Sequence, residues 1–436
     1  MAPPVAPERR RDDPWRDAPR SSHVARRWTV MVYMAGDNDL EAPARADLAE
    51  IKAAGSTRQV AVVAQFDPAR AGAPTRRYYL SRDGALEEDA IDPPLGETNT
   101  GDARDLARFL AWGMAAYPAD RYALVLWNHG IGWRDATGSQ GSVGGGGPPG
   151  RGKRPLFRAP AESIVARGIA WDATSQDFLD NAEIRRALDA ALLLSRLDRL
   201  DVLALDACLM QMLEVAYEIK GLARYVVASQ EVEPEGGWPY TTLLRRLSAW
   251  PDADGAQLGA MAIDAYLRDG RAGDALTLSV LDLDRIGDVT TALDALCRAI
   301  LDNLPVARPF VLGAARAAQR YRDPDCRDLY DVARLIWDHT ADTALRARAR
   351  DLMALLEAPG ADRFVVAEGH RGAGVARSHG VSIYLPDGAL SPFYRRLEFA
   401  RDTLWDEVLR ALFGAPAEGG GASRPQAGAV ATRAPG

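Results

Sequence analysis

Two residues that could act together in nucleophilic catalysis each follow an apolar segment of the chain. His129 comes after YALVLWN (122–128), and Cys208 comes after DVLALDA (201–207). A cysteine attacks as the thiolate, and a nearby imidazole can take its proton and later protonate a leaving group. The two side chains therefore predict a cysteine–histidine pair, provided that the fold brings them together.

The residues around this pair suit the same chemistry. Gly130 leaves its backbone N–H accessible to a developing oxyanion, and the N–H of Cys208 is the natural second donor. A helix that opens at Cys208 would favour the thiolate, because helix N-termini carry partial positive charge. Asp206 stands two positions before Cys208, so strand alternation predicts that both face the same side, with Asp206 toward the substrate.

Each of these residues also has an ordinary structural interpretation. A cysteine after an apolar strand is commonly a small buried hydrophobe, and a His-Gly pair at a strand end is commonly a turn. Finding both at strand ends of one α/β chain favours the catalytic interpretation, because reactive groups of open α/β sheets lie outside the carboxyl ends of the strands.

The remaining sequence alternates between strand and helix patterns, which is typical of an α/β fold with a mostly parallel sheet flanked by helices. Apolar runs predict strands at 28–34, 59–66, 122–127, 201–206, 224–229, 276–283 and 380–386. Amphipathic segments predict helices at 39–53, 102–117, 181–196, 208–222, 254–268, 285–303 and roughly 341–357.

Changes in composition divide the chain. Residues 1–27 and 414–436 are predicted to be disordered tails, because they have few residues to bury. Residues 28–255 form the predicted core, interrupted at 134–160 by a loop rich in Gly, Pro and Arg. Residues 256–413 are predicted to be a helix-rich C-terminal portion with a late strand that completes the sheet.

Composition and charge exclude several classes of protein. The 436 residues carry a net charge of -7, which disfavours a general nucleic-acid-binding protein. No apolar run is long enough to span a membrane, and residues 1–20 have no apolar block typical of a signal peptide. The three cysteines, Cys208, Cys297 and Cys326, are too few for a disulfide framework, so a cytoplasmic location is expected.

Seven segments of the sequence, in chain order, resemble blocks of the clostripain family of cysteine peptidases, which belongs to the caspase-like clan. They are WTVMVYMAGDNDLE (28–41), LVLWNHGIGW (124–133), GIAWDATSQDFLDNAEIRRAL (168–188), DVLALDACLMQMLEVAYEI (201–219), VVASQEVEPEGGWPY (226–240), RDLYDVARL (327–335) and GVSIYLP (380–386). The resemblance covers residues 28 to about 413 and rests on several long blocks together.

This resemblance implies a caspase-like sheet and hydrolysis of peptide bonds in a peptide or protein substrate, with a basic residue before the cut. The family's histidine falls on His129, its nucleophile on Cys208, and the acidic residue two positions earlier on Asp206. The loop after VVASQ is acidic in this chain, and Glu231 is assigned with Asp206 to substrate binding.

The resemblance also implies self-cleavage after a basic residue in the segment that follows the histidine. Arg151, Lys153 and Arg154 are the candidates. Calcium dependence occurs in relatives, but the acidic segments 37–39 and 172–177 lack the ligand spacing of a calcium loop, so no metal site or cofactor is assigned. Asp39 is instead predicted to cap the helix that follows it.

Two alternatives from other classes remain open. A non-catalytic caspase-like scaffold would keep the fold without turnover, and an electrophilic ketone bearing an arginyl or lysyl group would not label it. A cysteine-dependent acyl transferase would use the same pair of residues, since an acyl-enzyme can be captured by an amine in place of water. Products formed with an added amine would identify it.

Overall fold

A nine-stranded sheet with the order β12-β10-β9-β8-β5-β1-β2-β3-β4 organises the molecule. The structure is a computed structural model, and it describes residues 26–70, 72–133, 168–234, 236–270, 273–357, 359–360 and 362–414. The five central strands, from β9 to β2, are parallel, and two antiparallel strands follow on each side. The predicted α/β class is confirmed, with a mixed sheet whose centre is parallel.

The strands are β1 (Trp28–Gly36), β2 (Val60–Pro68), β3 (Thr75–Tyr79), β4 (Ala90–Gly96), β5 (Arg121–Trp127), β6 (Ile169–Asp172), β7 (Asp177–Leu179), β8 (Leu200–Asp206), β9 (Ala223–Ala228), β10 (Leu276–Asp282), β11 (Cys326–Asp328), β12 (Val365–Arg371) and β13 (Ser382–Tyr384). Strands β1 and β2 are buried at every position. Strands of this kind are covered on both faces, which explains their continuous apolar sequences.

The helices are α1 (Glu41–Ala54), α2 (Ala103–Ala116), α3 (Asn181–Ser195), α4 (Leu213–Glu218), α5 (Tyr240–Ala249), α6 (Gly255–Asp269), α7 (Ile286–Asp302), α8 (Leu304–Ala317), α9 (Leu329–His339), α10 (Thr343–Leu356), α11 (Glu398–Asp402) and α12 (Trp405–Phe413). Helices α1, α5 and α6 cover one face of the sheet and bury their apolar sides there. Helices α2, α3, α4 and α7 cover the other face, where the helical C-terminal portion continues the same core.

The structure corrects two predicted elements. The predicted late strand, 380–386, does not complete the main sheet, because β13 pairs with β11 in a separate two-stranded sheet. The main sheet ends instead at β12, which runs antiparallel to β10. The predicted helix 208–222 is also wrong at its start, since α4 begins at Leu213.

Two strands from beyond residue 255, β10 and β12, belong to the main sheet. The main sheet therefore contains strands from both sides of residue 255, where the predicted core ended. Among the described residues, no helix combines the length and the apolar character that crossing a membrane requires.

Candidate active site

His129 and Cys208 follow two neighbouring parallel strands at the same edge of the sheet. Strands β5 and β8 pair in a register that sets Trp127 opposite Asp206. Each candidate residue lies two positions beyond its member of that pair, and the Asn128 N–H donates to the Asp206 carbonyl across the strand ends (3.3 Å). The sheet topology therefore brings together the two loops that the sequence singled out.

Gly130 packs directly against the turn that carries Cys208. A Cβ atom at position 130 would lie 2.5 Å from the Cys208 carbonyl oxygen and 2.8 Å from the Ala207 Cβ, so only glycine allows this approach. The turn itself is tight, because Leu209 has a φ of 63°, a left-handed conformation that a leucine rarely adopts. Helix α4 begins only after this turn, so its N-terminus does not support Cys208 as predicted.

The sulfur of Cys208 is completely buried. Its Sγ accepts a hydrogen bond from the backbone N–H of Glu233 at 3.2 Å. Burial raises the pKa of the Cys208 thiol, and the carboxyl groups of Glu233, Glu231 and Asp206 raise it further, while the backbone hydrogen bond acts in the opposite direction. In this conformation the thiol is therefore held in its protonated form at neutral pH.

Asp39 is a partner of His129 that the sequence analysis assigned to a different role. His129 Nε2 and Asp39 Oδ1 lie 2.8 Å apart, and the hydrogen bond from His129 lowers the pKa of Asp39. Asp39 does not cap α1 as predicted: the N-cap residue is Leu40, with no side-chain cap, and Asn38 Oδ1 accepts from the Leu40 N–H at 2.9 Å. One signal was available in the sequence, since Asp39 follows β1, the strand beside β5, and so lies at the same edge of the sheet.

Asp206 lies in a buried group of acidic and aromatic side chains on the α1, α5 and α6 face. Its Oδ2 accepts from the Tyr240 hydroxyl at 2.6 Å, and its side chain is hydrogen-bonded to that of Glu233. Glu233 also accepts from Trp238 Nε1 at 3.2 Å. Strand β8 ends at Asp206, so alternation does not extend to Cys208, which packs in the core cluster of the opposite face.

Asp47 of α1 adds a third buried carboxyl group to this region. Trp127 Nε1 donates to Asp47 Oδ2 at 2.7 Å, and the backbone of Gly237 covers the same oxygen so closely that a Cβ there would lie 2.6 Å from it. Burial, together with the charge of Asp206, raises the pKa of Asp47 to about 9. The sequence analysis assigned no role to Asp47, and it did not distinguish Glu233 from the other acidic residues of the loop that begins at Glu231.

Glu231 is mostly buried, and its carboxylate binds the backbone of two segments. Its Oε1 accepts from the N–H groups of Val232 (2.8 Å) and Arg322 (3.0 Å). Its carbonyl oxygen accepts from the N–H of Leu209, immediately after the nucleophile candidate (3.2 Å). Glu231 thus joins the acidic loop to the turn at Cys208 and to the C-terminal portion.

A second set of buried polar contacts fixes the same loop from the C-terminal side. Gln230 Nε2 donates to Asp328 Oδ2 at 3.1 Å, and Gln230 Oε1 accepts from the Gly380 N–H at 3.1 Å. Asp328 in turn accepts from the Tyr321 hydroxyl (3.3 Å) and from the backbone and ring of His379. These contacts explain why segments far from the nucleophile in sequence position its loop.

The other candidates lie elsewhere. Arg151, Lys153 and Arg154 fall outside the described residues. Cys297 in α7 and Cys326 in β11 are both buried. Within the described ranges, no group of three or more His, Cys, Asp or Glu side chains is arranged to hold a metal ion.

Sequence comparison gives one family and one curated relative. The profile described as the clostripain family matches residues 32–143 and 157–411. Clostripain of Hathewaya histolytica is 26% identical over 245 residues, which correspond to 51% of this chain and 42% of that protein. The match therefore spans less than half the length of the curated relative.

Two solved structures share the fold of this chain. A secreted C11 cysteine protease from Bacteroides thetaiotaomicron, in complex with an irreversible peptide inhibitor, has a TM-score of 0.59 and 19% identity, over 86% of this chain and 98% of that one. An inactive zymogen C11 protease from Parabacteroides distasonis has a TM-score of 0.60 and 18% identity, over 87% and 98%. At these identities the likeness shows a shared fold.

Proposed function

The chain belongs to the clostripain family of cysteine peptidases, and we propose that it is an endopeptidase whose catalytic pair is Cys208 and His129. The observation that carries this proposal is the register of β5 and β8, from which both residues extend two positions beyond the same paired site. Asp39, bound to His129 Nε2, supports the assignment because a base needs a group that orients its ring.

The proposed reaction passes through a covalent acyl-enzyme. The Cys208 thiol gives its proton to His129, and the thiolate attacks the carbonyl carbon of the scissile bond. The N–H groups of Gly130 and Cys208 donate to the resulting oxyanion, and His129 protonates the departing amine as the C–N bond breaks. Water, deprotonated by His129, then hydrolyses the thioester and releases the carboxylic acid with the free thiol. These steps use side chains and water, so we propose no cofactor.

We propose that the substrate carries arginine or lysine before the cut, and that Asp206 binds its charge. A buried carboxyl group beside another, as Asp206 is beside Glu233, is costly unless a cation or shared proton compensates it. Asp206 also directly precedes the turn at Cys208, the proposed nucleophile. Glu231 supports this pocket by fixing the backbone of its loop.

A positional scan of peptide substrates tests this proposal. We expect wild-type protein to cleave after arginine or lysine with a kcat/KM at least about 10²-fold above the same peptide carrying citrulline or norleucine there, because loss of the charge leaves Asp206 uncompensated. Equal rates for charged and neutral side chains would contradict the proposed specificity. No cleavage of any peptide by wild type would favour a non-catalytic scaffold.

Self-cleavage is a further expected outcome. Arg151, Lys153 and Arg154 stand 22 to 25 positions beyond His129 within a segment rich in glycine and proline, a composition that suits entry into an active-site groove. Purified wild type should therefore give two fragments on a denaturing gel. They should stay associated in gel filtration, because β5 and β8, which flank the cut, pair in one sheet.

Two variants provide the controls for self-cleavage. Cys208→Ala should stay a single chain, and replacement of all three basic residues by alanine should prevent the cut in that segment. Wild type that remains one chain, with and without calcium, while cleaving arginyl peptides at full rate would contradict self-processing.

A further inference from the structure

Three buried carboxyl groups lie near Cys208, the nucleophile candidate. Glu233 contacts Cys208 through its backbone N–H and Asp206 through its side chain, and Asp47 lies beyond Asp206 against Trp127. Each of the three side chains is less than 5% exposed. Among the described residues, the charged side chains that most affect the pKa values of these three carboxyl groups are themselves acidic.

The hydroxyl of Tyr266 is a second, independent feature of the same place. Tyr266 lies on α6 and is 3% exposed, and its hydroxyl has no hydrogen-bond partner among the described residues. After burial, the carboxyl groups of Glu233 and Asp206 and the thiol of Cys208 contribute most to the raised pKa of this hydroxyl. A buried hydroxyl without a partner is costly, so a polar ligand that reached it would gain a hydrogen bond there.

The hydrogen bond between Asp206 and Glu233 fixes the charge of the pair. One of the two carboxyl groups must supply the proton of that bond, so the pair carries at most one negative charge. A negative charge on this pair disfavours the Cys208 thiolate, as does the carboxylate of Glu231. A single bound cation would cancel the charge of the pair without any proton leaving.

We propose that the basic side chain of the substrate activates the nucleophile, because its charge, held by Asp206, Glu233 and the Tyr266 hydroxyl, offsets the carboxyl groups that face Cys208. The inference rests on the proposed specificity for arginine or lysine and adds a consequence to it. The empty site keeps the thiol protonated and unreactive, and occupation of the pocket allows the thiolate to form. The same charge then accounts for both the recognition of the substrate and the activation of the Cys208 thiol.

The geometry gives each residue a distinct part. Asp206 supplies the negative charge, and the Glu233 carboxyl holds it in place. The Tyr266 hydroxyl accepts an N–H of the cation, which satisfies a group that is otherwise without a partner. The Glu233 N–H donates to Cys208 Sγ, so the residue whose carboxyl group holds Asp206 also contacts the sulfur.

Alkylation of Cys208 by iodoacetamide tests the coupling without peptide cleavage. The probe is N-propylguanidinium, which carries the end group of arginine, and N-propylurea is its uncharged control. We expect N-propylguanidinium to accelerate alkylation of wild-type Cys208 about tenfold at pH 7 and to move its pH profile to lower pH, since one unit of thiol pKa is a tenfold change in thiolate. N-propylurea should leave the rate unchanged. Mass spectrometry of the peptide that contains Cys208 gives the rate.

Variants separate the charge from the shape of the pocket. Asp206→Asn removes the charge with little change in volume, so the resting thiol should alkylate several-fold faster and lose its response to N-propylguanidinium. Tyr266→Phe should raise the half-maximal concentration of N-propylguanidinium several-fold. Tyr122→Phe removes a hydroxyl near Ala119, at the opposite end of β5, and should keep the wild-type response.

Two results would contradict the proposed activation, and only the second would also contradict the proposed specificity. If N-propylguanidinium competes with arginyl peptides but slows alkylation or leaves it unchanged, activation is wrong and the specificity stands. If it neither competes nor accelerates, and the peptide scan shows no preference for a basic residue, both the specificity and the activation are wrong.

Discussion

Cys208→Ala should lower peptide cleavage by at least about 10³-fold, because no other side chain can form the acyl-enzyme. Cys297→Ala and Cys326→Ala should keep most of the wild-type activity at low temperature, since both cysteines are buried core residues and neither follows β5 or β8. Initial rates on an arginyl peptide measure all three variants. Turnover by Cys208→Ala at a comparable rate would contradict the assignment of the nucleophile.

The stability of the same variants gives a second measurement. Cys208 is fully buried and its sulfur accepts the Glu233 N–H, so its replacement by alanine should cost about 1–2 kcal/mol in the free energy of unfolding. Cys208→Ser keeps an acceptor for that N–H and should recover part of the loss while remaining inactive. A variant that is inactive only because it is unfolded would lose its circular dichroism, which these variants should retain.

The centre of the fold follows from local sequence. The strand predicted at 201–206 is observed at Leu200–Asp206, and the one predicted at 122–127 at Arg121–Trp127. Both are apolar at nearly every position because helices cover the sheet on both faces. The meeting of His129 and Cys208 at one sheet edge follows from the same rule, since the carboxyl ends of parallel neighbours coincide.

The sheet edges do not follow from local sequence in the same way. Strand β4 contains two prolines and is mostly exposed, and β12 is only half-buried, so neither has the continuous apolar pattern of a central strand. The apolar segment at 380–386 has that pattern, yet β13 pairs with β11. A strand's own residues specify burial, whereas its partner depends on the path of the rest of the chain.

The residues around the catalytic pair show the same difference. The types and positions of His129 and Cys208 were sufficient to select them. Asp39 was assigned to a cap, because an acidic residue before a helix is typical of one, and Glu233 was not distinguished from the other acidic residues of its loop. What distinguishes them is a partner distant in sequence, 90 positions for Asp39 with His129 and 25 for Glu233 with Cys208.

Asp328→Ala should lower the free energy of unfolding by about 4 kcal/mol. The Asp328 side chain is fully buried and accepts five hydrogen bonds, from Gln230, Tyr321, Asp331 and, twice, His379. Alanine leaves those donors buried without an acceptor, and each such group costs about 1–3 kcal/mol before relaxation. Denaturant unfolding measures the loss, and an exposed surface control, Asp351→Ala, should change stability by less than about 0.5 kcal/mol.

The pH dependence of unfolding tests whether the charge of Asp328 matters beyond its hydrogen bonds. Burial lowers the pKa of His379, but its hydrogen bond to Asp328 and the charge of that residue outweigh burial, so the net pKa is raised. A raised histidine pKa contributes stability that is complete below the unfolded pKa of about 6.5 and is lost as the pH rises through the folded pKa. Asp328→Asn keeps acceptor capacity but removes this charge, so it should be less damaging than alanine and should flatten the stability profile above about pH 6. An unchanged slope in Asp328→Asn would show that the His379–Asp328 ion pair contributes nothing, and the network would then fix the Gln230 loop through neutral hydrogen bonds alone.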